Sequence, residues 1–209
     1  FSSSTKMIVY PEDTRYLSSI SSEGLSELNE KFSGTLFIDG DTISYKEKLS
    51  NVTLFYYPKA ERKLIRGKEF LLPFNEYIPY FFEPLFSSFI PEESLSTYTK
   101  NHTYTPMYSK KTILLDEIEV GTLLCSEILS YSLLNRLKQE NPNIVFFQSR
   151  LNVFHNNPWF VMHERSFTKV AAAQLRTPIV SSVNGAPSFI VSPYGKVIKT
   201  LETGFSTST

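Results

Sequence analysis

Short apolar runs separated by turn residues are the main pattern along this chain. Runs that are rich in β-branched and aromatic residues and bounded by Gly, Pro, Asn or Asp predict β-strands. The run at residues 35–38 ends at Asp39-Gly40-Asp41, which is a typical hairpin-turn signal and predicts a turn there. The predicted strands lie at residues 7–10, 35–38, 51–57, 112–115, 120–124, 143–148, 179–183, 188–191 and 197–200.

Apolar residues at helical spacing predict three longer segments, at residues 23–32, 126–139 and 165–175. In the first of them, Leu25, Leu28 and Phe32 fall on one helical face. Because these helices are interleaved with the more numerous strands, the pattern favours a layered α/β domain over an all-β sandwich.

The domain organisation follows from the length and from two unusual segments. With 209 residues, the chain fits one domain, which we place at residues 1–203. Residues 74–111 read as a long, aromatic-rich loop, and the Ser/Thr-rich residues 204–209 as a flexible tail or linker. Since the chain begins at Phe1 without an initiator Met, we expect an excised piece of a longer protein.

Composition narrows the class of protein. The 21 Lys+Arg and 21 Asp+Glu cancel, and a balanced charge argues against a nucleic-acid partner. The single Cys excludes an intrachain disulfide and a multi-thiolate metal site. The three His residues lack metal-ligand spacing, and the sequence predicts neither a metal nor a cofactor.

Cys125 lies where a predicted buried strand meets a predicted helix. A thiol close to a helix N-terminus gains thiolate character from the partial positive charge there. The alternative is that a lone Cys is simply a small buried hydrophobic residue, and the position at the junction makes the two interpretations about equally good.

Two further segments hold charged residues beside apolar ones. Glu12 follows a predicted strand and Pro11, at a sheet edge of the kind where active sites gather, although a solvated loop acid is commoner. Lys68 and Glu76 bracket the apolar stretch Phe70–Phe74, which taken alone is also typical of a hairpin with solvated ends.

Taken together, these segments resemble one family. The strings Tyr-Pro-Glu at residues 10–12, Lys-x-x-Leu-x-Pro-Phe-x-Glu at 68–76 and Leu-Cys-Ser-Glu-Ile at 124–128 resemble the nitrilase (carbon–nitrogen hydrolase) superfamily. Within it, Pro-Phe-Asn-Glu-Tyr-Ile-Pro at 73–79 and Asn-Asn-Pro-Trp-Phe at 156–160 are most similar to the apolipoprotein N-acyltransferase family.

The resemblance implies an αββα sandwich with a Glu-Lys-Cys triad. It implies that Glu12 is the general base, Lys68 the oxyanion-stabilising cation and Cys125 the nucleophile. The supporting residues that it implies are Glu76, Glu127, Trp159 and Ser126, the last through its backbone N–H.

The implied reaction is acyl transfer in two steps through a Cys thioester. The acyl donor is a phospholipid, and the acceptor is the N-terminal amine of a diacylglyceryl-cysteine lipoprotein. We expect aromatic residues of the long loop to form a lid toward lipid rather than to pack on the core. These lipid-facing residues are Phe74, Tyr77, Tyr80, Phe81 and Phe82.

The resemblance also implies a bacterial cell membrane enzyme with its catalytic domain on the periplasmic side. No apolar run reaches the ~18 residues of a membrane span, so membrane association would come from segments absent from this chain. The superfamily normally has a strand and a helix before the Glu-bearing strand, but only six residues precede Met7. We therefore expect that first strand and helix to be missing.

Two alternatives stay open. The same triad fits a nitrilase-type amidase that hydrolyses a small amide with water as acceptor. An inactive relative that binds lipid or protein is the other, and the string Ala-Ala-Ala-Gln at 171–174, which departs from the family pattern, leaves room for it.

Overall fold

The computed structural model describes residues 6–60, 62–82, 84, 88–89, 104–115, 117–155 and 157–201. The strands are β1 Met7–Val9, β2 Leu36–Tyr45, β3 Lys48–Tyr57, β4 Arg62–Gly67, β5 Thr112–Leu115, β6 Ile118–Leu124, β7 Ile144–Arg150, β8 Ile179–Asn184, β9 Ser188–Val191 and β10 Val197–Leu201. The α-helices of the described part are α1 Tyr16–Ser19, α2 Ser22–Lys31, α3 Tyr131–Gln139 and α4 Pro158–Leu175. Three short 3-10 segments lie at Pro58–Ala60, Cys125–Leu129 and Asn152–Phe154.

The strands form two sheets. One sheet has the order β1-β2-β3-β4 and the other the order β10-β9-β8-β7-β6-β5. The pairs β1-β2, β6-β7 and β7-β8 are parallel, and the remaining neighbours are antiparallel. As a result, β1 and β4 run in the same direction and end at the same edge of their sheet.

Three buried clusters set the layers of the molecule. Side chains of β2 and β3 alternate, so that Phe37 and Tyr56 pack on α1 and α2 while Ile38 and Phe55 face the second sheet. In the second sheet, Phe147 packs toward α3 and α4, and neighbouring Phe146 faces the first sheet. The layers are therefore helix, sheet, sheet and helix, and the predicted αββα sandwich is confirmed.

Polar bonds fix how the two sheets are aligned. The Thr53 hydroxyl donates to Gln148 Oε1 over 2.8 Å, and Gln148 Nε2 donates to the Tyr10 carbonyl over 2.6 Å. The Ser182 hydroxyl donates to the Val9 carbonyl over 3.1 Å. Because a buried polar group is costly without a partner, these bonds hold the carboxyl end of β1 beside the carboxyl ends of β7 and β8.

The predicted hairpin turn at Asp39-Gly40-Asp41 is wrong, because β2 runs straight through it. The Asp39 carboxylate accepts a hydrogen bond from the Leu17 N–H over 2.8 Å, and so serves the start of α1 instead of a turn. The hairpin closes at Lys46 and Glu47, whose positive φ angles of 51° and 64° give the twist of a two-residue turn.

The helix boundaries also differ from the sequence pattern. The predicted helix 126–139 is broken: residues 125–129 form a 3-10 segment, and α3 begins only after Ser130 caps it. The predicted helix 165–175 begins seven residues earlier, at Pro158, because the Asn157 side chain accepts the Trp159 N–H over 3.0 Å. Strand β4 was not predicted, since its Arg and Lys residues obscure the apolar alternation.

Two predicted segments lie partly or wholly outside the described residues. Positions 83, 85–87 and 90–103 of the long loop lie outside them, and so does the whole tail 204–209. Among the described residues β1 pairs on one side only, with β2. The absence of a first strand and helix therefore stays a prediction.

The lack of a side chain at Gly40 leaves room for the Glu12 loop, which packs against it. An added Cβ would meet Glu12 Cα at 2.6 Å and the Pro11 carbonyl oxygen at 2.7 Å, and both are backbone atoms that cannot rotate away. We expect Gly40→Ala to destabilise the protein by about 1–3 kcal/mol and to displace Glu12. Urea unfolding monitored by circular dichroism measures the loss.

Gly34→Ala is the matched control, because a Cβ there meets nothing within 4 Å. We expect its unfolding midpoint to stay close to that of the wild type. Equal midpoints for Gly40→Ala and the wild type would contradict the close packing of the Glu12 loop.

Candidate active site

A cavity of about 200 Å³ opens where β1, β4 and β6 end. Its lining includes four of the residues singled out in the sequence: Glu12, Lys68, Glu76 and Cys125. Glu12 follows β1, Lys68 follows β4, and Cys125 follows β6 directly. The sandwich thus brings together Glu12, Lys68 and Cys125, which are more than fifty positions apart in the chain.

Lys68 is buried between two carboxylates. Its Nζ donates to Glu76 Oε1 over 2.8 Å and to Glu12 Oε1 over 3.2 Å. Glu12 is 7% exposed, Lys68 1% and Glu76 5%, so the charges lie largely away from water. Buried charges that are both paired and hydrogen-bonded hold a fixed geometry, because losing either partner is costly.

Further bonds hold Glu76 in place. Its Oε1 also accepts from Asn51 Nδ2 over 3.0 Å, and its Oε2 accepts the Leu72 N–H over 2.8 Å. The Lys68 N–H donates to the Asn51 carbonyl over 2.8 Å. Glu76 and Lys68 are therefore both anchored to Asn51 on β3, at the same end of the sheet.

Cys125 occupies a strained backbone position. Its φ of 43° lies in the left-handed region, which is costly for a residue with a side chain. This conformation ends β6 abruptly and places Cys125, a half-buried residue, in the wall of the cavity. A sharp turn that presents a nucleophile to a pocket is one use of such strain.

The thiol of Cys125 is kept protonated by its surroundings. Burial raises its pKa above the ordinary value, and the negative charge of Glu12 adds to this, while Lys68 acts against it. The expectation that a helix N-terminus favours the thiolate is not met, since only a five-residue 3-10 segment follows and burial outweighs it. Nucleophilic attack by this sulfur therefore requires a base.

Glu12 has the properties of that base. Burial raises its pKa, whereas Lys68 lowers it and Glu76 raises it further, with a net upward shift. A carboxylate with a raised pKa is a stronger base when it is ionised. Burial alone would lower the pKa of Lys68, but the negative charges of Glu12 and Glu76 outweigh it, so the ammonium stays charged.

Glu127 joins the segments that carry Lys68 and Cys125. Its Oε1 accepts the Glu69 N–H over 2.7 Å, and its Oε2 accepts the Leu124 N–H over 2.9 Å. Glu69 follows Lys68, and Leu124 precedes Cys125. A single carboxylate therefore accepts hydrogen bonds from the residue next to Lys68 and from the residue next to Cys125. Its predicted orienting role remains a proposal, and this geometry is what supports it.

Lys111 is a buried partner of Glu127 that the sequence analysis missed. Its Nζ donates to Glu127 Oε1 over 2.7 Å and also to the Gly67 carbonyl, next to Lys68. In the sequence it follows Lys110, which is exposed, so the pair reads as a solvated charge run. The only available signal was that Lys111 immediately precedes a predicted strand.

Glu164 on α4 is a second residue that sequence reasoning missed. The Ser149 hydroxyl donates to Glu164 Oε2 over 2.6 Å, and both residues are buried. Burial raises the pKa of Glu164 to about 7, and its charge is one of those that raise the pKa of Cys125. The sequence gave no sign that Glu164 is buried, because both charged and apolar residues lie beside it in the chain.

The raised pKa of Glu164 makes stability depend on pH. The ordinary pKa is 4.5 and the folded value is about 7, so the folded state binds the proton more tightly. The stability that this proton contributes is present below about 4.5 and is lost as the pH rises through about 7. We expect Glu164→Gln, which keeps an acceptor for Ser149, to reduce the loss of stability between pH 4.5 and 7.5.

Urea unfolding midpoints at several pH values measure this effect. The exposed Glu30→Gln change on α2 is the control and should follow the wild-type pH profile. An unchanged profile for Glu164→Gln would contradict the assignment.

Other predicted site residues lie around the cavity or away from it. The buried Ser126 hydroxyl donates to the Phe70 carbonyl over 2.7 Å, and the predicted role of its N–H stays a prediction. Trp159 is 65% exposed in the first turn of α4 and is not part of the cavity lining. Trp159 therefore does not contact the cavity, and its predicted supporting role stays a prediction.

Four of the five predicted lipid-facing residues, Phe74, Tyr80, Phe81 and Phe82, form an aromatic cluster. Phe82 contacts both Phe74 and Phe81, with ring centroids 5.1 and 4.4 Å apart, and Tyr80 packs against Phe81. Tyr80 is 84% exposed and Phe81 62%, whereas Tyr77 is partly buried. The cluster follows Asn75 and Glu76, which line the cavity.

Two features are absent from the part of the chain that the structure describes. No helix in that part of the chain is long and apolar enough to cross a membrane. In the same residues, no group of three or more His, Cys, Asp or Glu side chains could hold a metal ion.

Solved structures identify the fold as that of the nitrilase superfamily. The chain is similar to Nit3 of Saccharomyces cerevisiae, a member of branch 10 of that superfamily, with a TM-score of 0.64, 13% identity and coverage of 95% of this chain and 73% of the other. It is also similar to an amidase of the superfamily from Nesterenkonia AN1, with a TM-score of 0.58, 10% identity and coverage of 94% and 73%. These likenesses establish the fold.

The sequence is similar to one particular enzyme, as the motifs predicted. It is 28% identical over 139 residues to apolipoprotein N-acyltransferase from Aquifex aeolicus, a match that covers 64% of this chain. The match spans only 28% of the length of that relative. No family model matches the chain.

Proposed function

We propose that the chain is the catalytic domain of an N-acyltransferase that moves a fatty acyl chain from a phospholipid to the N-terminal amine of a diacylglyceryl-cysteine lipoprotein. The observation that carries the proposal is the buried Glu12–Lys68–Glu76 ion triplet in one cavity with Cys125, beside an exposed aromatic cluster. The similarity to the Aquifex aeolicus N-acyltransferase supports the choice of reaction.

In the first step the enzyme is acylated. Glu12 takes the proton of the Cys125 thiol while the sulfur attacks the carbonyl carbon of the phospholipid ester. Lys68, together with the Ser126 N–H, stabilises the negative charge that develops on the carbonyl oxygen. When the C–O bond of the ester breaks, Glu12 returns the proton to the leaving oxygen, and a lysophospholipid is released.

In the second step the lipoprotein amine takes the acyl group. The neutral amine attacks the thioester carbonyl, and Glu12 accepts a proton from the amine nitrogen. As the C–S bond breaks, that proton passes to the Cys125 sulfur, which restores the thiol and yields an amide. Dividing the transfer into two displacements stores the acyl group until the amine arrives.

The aromatic cluster accounts for a lipid substrate. Exposed Tyr80 and Phe81 follow the cavity-lining residues Asn75 and Glu76 in the chain, and burying such apolar surface in lipid is favourable. We propose that the domain acts at the periplasmic face of a bacterial cell membrane, with the cluster toward the bilayer. Membrane association through segments outside this chain belongs to the same proposal.

A soluble-type amidase is the second candidate. It is favoured by the similarity to the Nesterenkonia AN1 amidase and by the small size of the cavity, about 200 Å³, which suits a small amide. Water instead of a lipid amine would then attack the thioester.

Analysis of the reaction products separates the two candidate functions. The chain is incubated with phospholipid in detergent micelles and with a diacylglyceryl-cysteine peptide, and the products are separated by liquid chromatography with mass detection. We expect an N-acylated peptide and lysophospholipid in equal amounts, and neither with Cys125→Ala. Turnover of small amides without peptide acylation would favour the amidase instead.

A further inference from the structure

Two arginines share the carboxylate of Asp13, a residue that lines the cavity. Arg150 Nη1 donates to Asp13 Oδ2, and Arg15 Nε donates to Asp13 Oδ1 over 2.6 Å. Asp13 and Arg150 line the same cavity as Cys125. We name Arg15, Asp13 and Arg150 the arginine pair site.

The arginine pair site carries an excess of positive charge. Two guanidinium groups and one carboxylate sum to a net charge of +1, whereas Glu12, Lys68 and Glu76 deeper in the cavity sum to −1. The Arg150 side chain is 39% exposed and that of Arg15 53%, so both guanidinium groups are open to solvent. An anion is therefore attracted to the mouth and repelled from the interior.

The donors of Arg150 suit a phosphate. A guanidinium carries five N–H donors in a planar fork that matches phosphate oxygens. Among the described residues, Arg150 uses Nε on Asn152 Oδ1, over 2.9 Å, and Nη1 on Asp13. These two bonds fix the plane of the group and leave other donors for a ligand.

The site lies close to the reacting groups along the chain. Asp13 directly follows Glu12, and Arg150 is the last residue of β7, which neighbours β6, the strand that Cys125 directly follows. In a glycerophospholipid the phosphate and the nearest acyl ester are on adjacent glycerol carbons. A phosphate at the mouth would therefore direct an ester carbonyl inward, toward the sulfur.

We propose that the arginine pair site binds the phosphodiester of the acyl donor and thereby positions its ester at Cys125. This inference rests on the proposed phospholipid donor and adds the group of the donor that is recognised. Arg150 makes the principal contact, and Arg15 supplies the second cation. Headgroup atoms beyond the phosphate are not needed for this recognition.

The first experiment measures binding without chemistry. Isothermal titration of the Cys125→Ala chain uses sn-glycero-3-phosphoglycerol, a phosphodiester without acyl chains, and inorganic phosphate as the comparison ligand. We expect the phosphodiester to bind more tightly, and Arg150→Gln to weaken it about 10- to 100-fold, as for a lost hydrogen bond to a charged group. Because the site is partly exposed, the affinity should fall with added salt.

The second experiment measures acylation. Intact mass follows thioester formation on Cys125 with a short-chain phosphatidylglycerol and with p-nitrophenyl hexanoate, a neutral ester. Arg150→Gln should slow acylation by the phospholipid about 10- to 100-fold and leave acylation by the neutral ester unchanged. Arg165→Gln, an exposed arginine on α4 over the Phe189 ring, is the control and should change neither rate.

The outcomes separate this inference from the proposed function. Phosphodiester binding that depends on Arg150, without any acylation by phospholipid, would leave the site intact and overturn the proposed reaction. Acylation by phospholipid at the wild-type rate in Arg150→Gln would overturn the site and keep the reaction. Tighter binding of inorganic phosphate than of the phosphodiester would also overturn the proposed binding site. An equal loss of acylation rate with both esters in Arg150→Gln would overturn it as well.

Discussion

Glu12→Gln is expected to slow acylation of Cys125 by about 10²- to 10⁴-fold, the usual contribution of a general base. The substitution keeps the shape of the side chain and an oxygen that can accept from Lys68 Nζ, but it removes the ability to take a proton. Because burial keeps the Cys125 pKa above its ordinary value, the thiol has little thiolate of its own to compensate. Intact-mass time courses with a phospholipid donor give the rate.

The pH dependence of the same reaction gives a second readout of Glu12. The carboxylate acts as a base only when ionised, and its pKa lies above 4.5, so the acylation rate should rise with pH through that raised value. This rise should be absent in Glu12→Gln. The exposed Glu23→Gln change on α2 should keep both the rate and the profile, and a wild-type profile in Glu12→Gln would contradict the role of Glu12 as base.

Lys68→Met is expected to lower the free energy of unfolding by about 3–5 kcal/mol, because it leaves two buried carboxylates without their shared cation. It should abolish acylation as well. Without Lys68 the pKa of Glu12 rises further, so the folded variant holds this proton to higher pH. The variant should therefore be closer to the wild type at pH 5 than at pH 8.

The control for Lys68→Met is Lys31→Met, which removes the cation of an exposed pair with Glu27 on α2. Exposed pairs of this kind contribute little to stability because water and salt screen them, so its unfolding midpoint should barely move. Urea denaturation at both pH values measures the two variants side by side. A Lys68→Met variant as stable as Lys31→Met would contradict the buried ion triplet.

Much of the fold could be predicted from local pattern. Apolar runs between turn residues located most strands, since a strand buried on both faces needs apolar residues throughout. The pattern failed at Asp39-Gly40-Asp41 because the turn residues there have tertiary roles: Asp39 binds the start of α1, and Gly40 makes room for the Glu12 loop. Neither contact has a local signal in the sequence.

The candidate site could be predicted in part. Glu12, Lys68, Glu76 and Cys125 were singled out through motifs, and the structure brings all four to one cavity. The supporting charges were harder to predict, because burial decides their role and burial depends on the sheet packing. Lys111 and Arg150 resemble any solvated cation in the sequence, yet one is buried against Glu127 and the other lines the cavity mouth.

The proposed reaction begins when Cys125 accepts an acyl group from a phospholipid. The most direct measurement is the intact mass of the chain after incubation with dipalmitoyl phospholipid in detergent, with Cys125→Ala treated in parallel. We expect a single palmitoyl adduct on the wild type, removed by hydroxylamine as is usual for a thioester, and no adduct on the variant. An unmodified wild-type chain, or an adduct that also forms on Cys125→Ala, would contradict it.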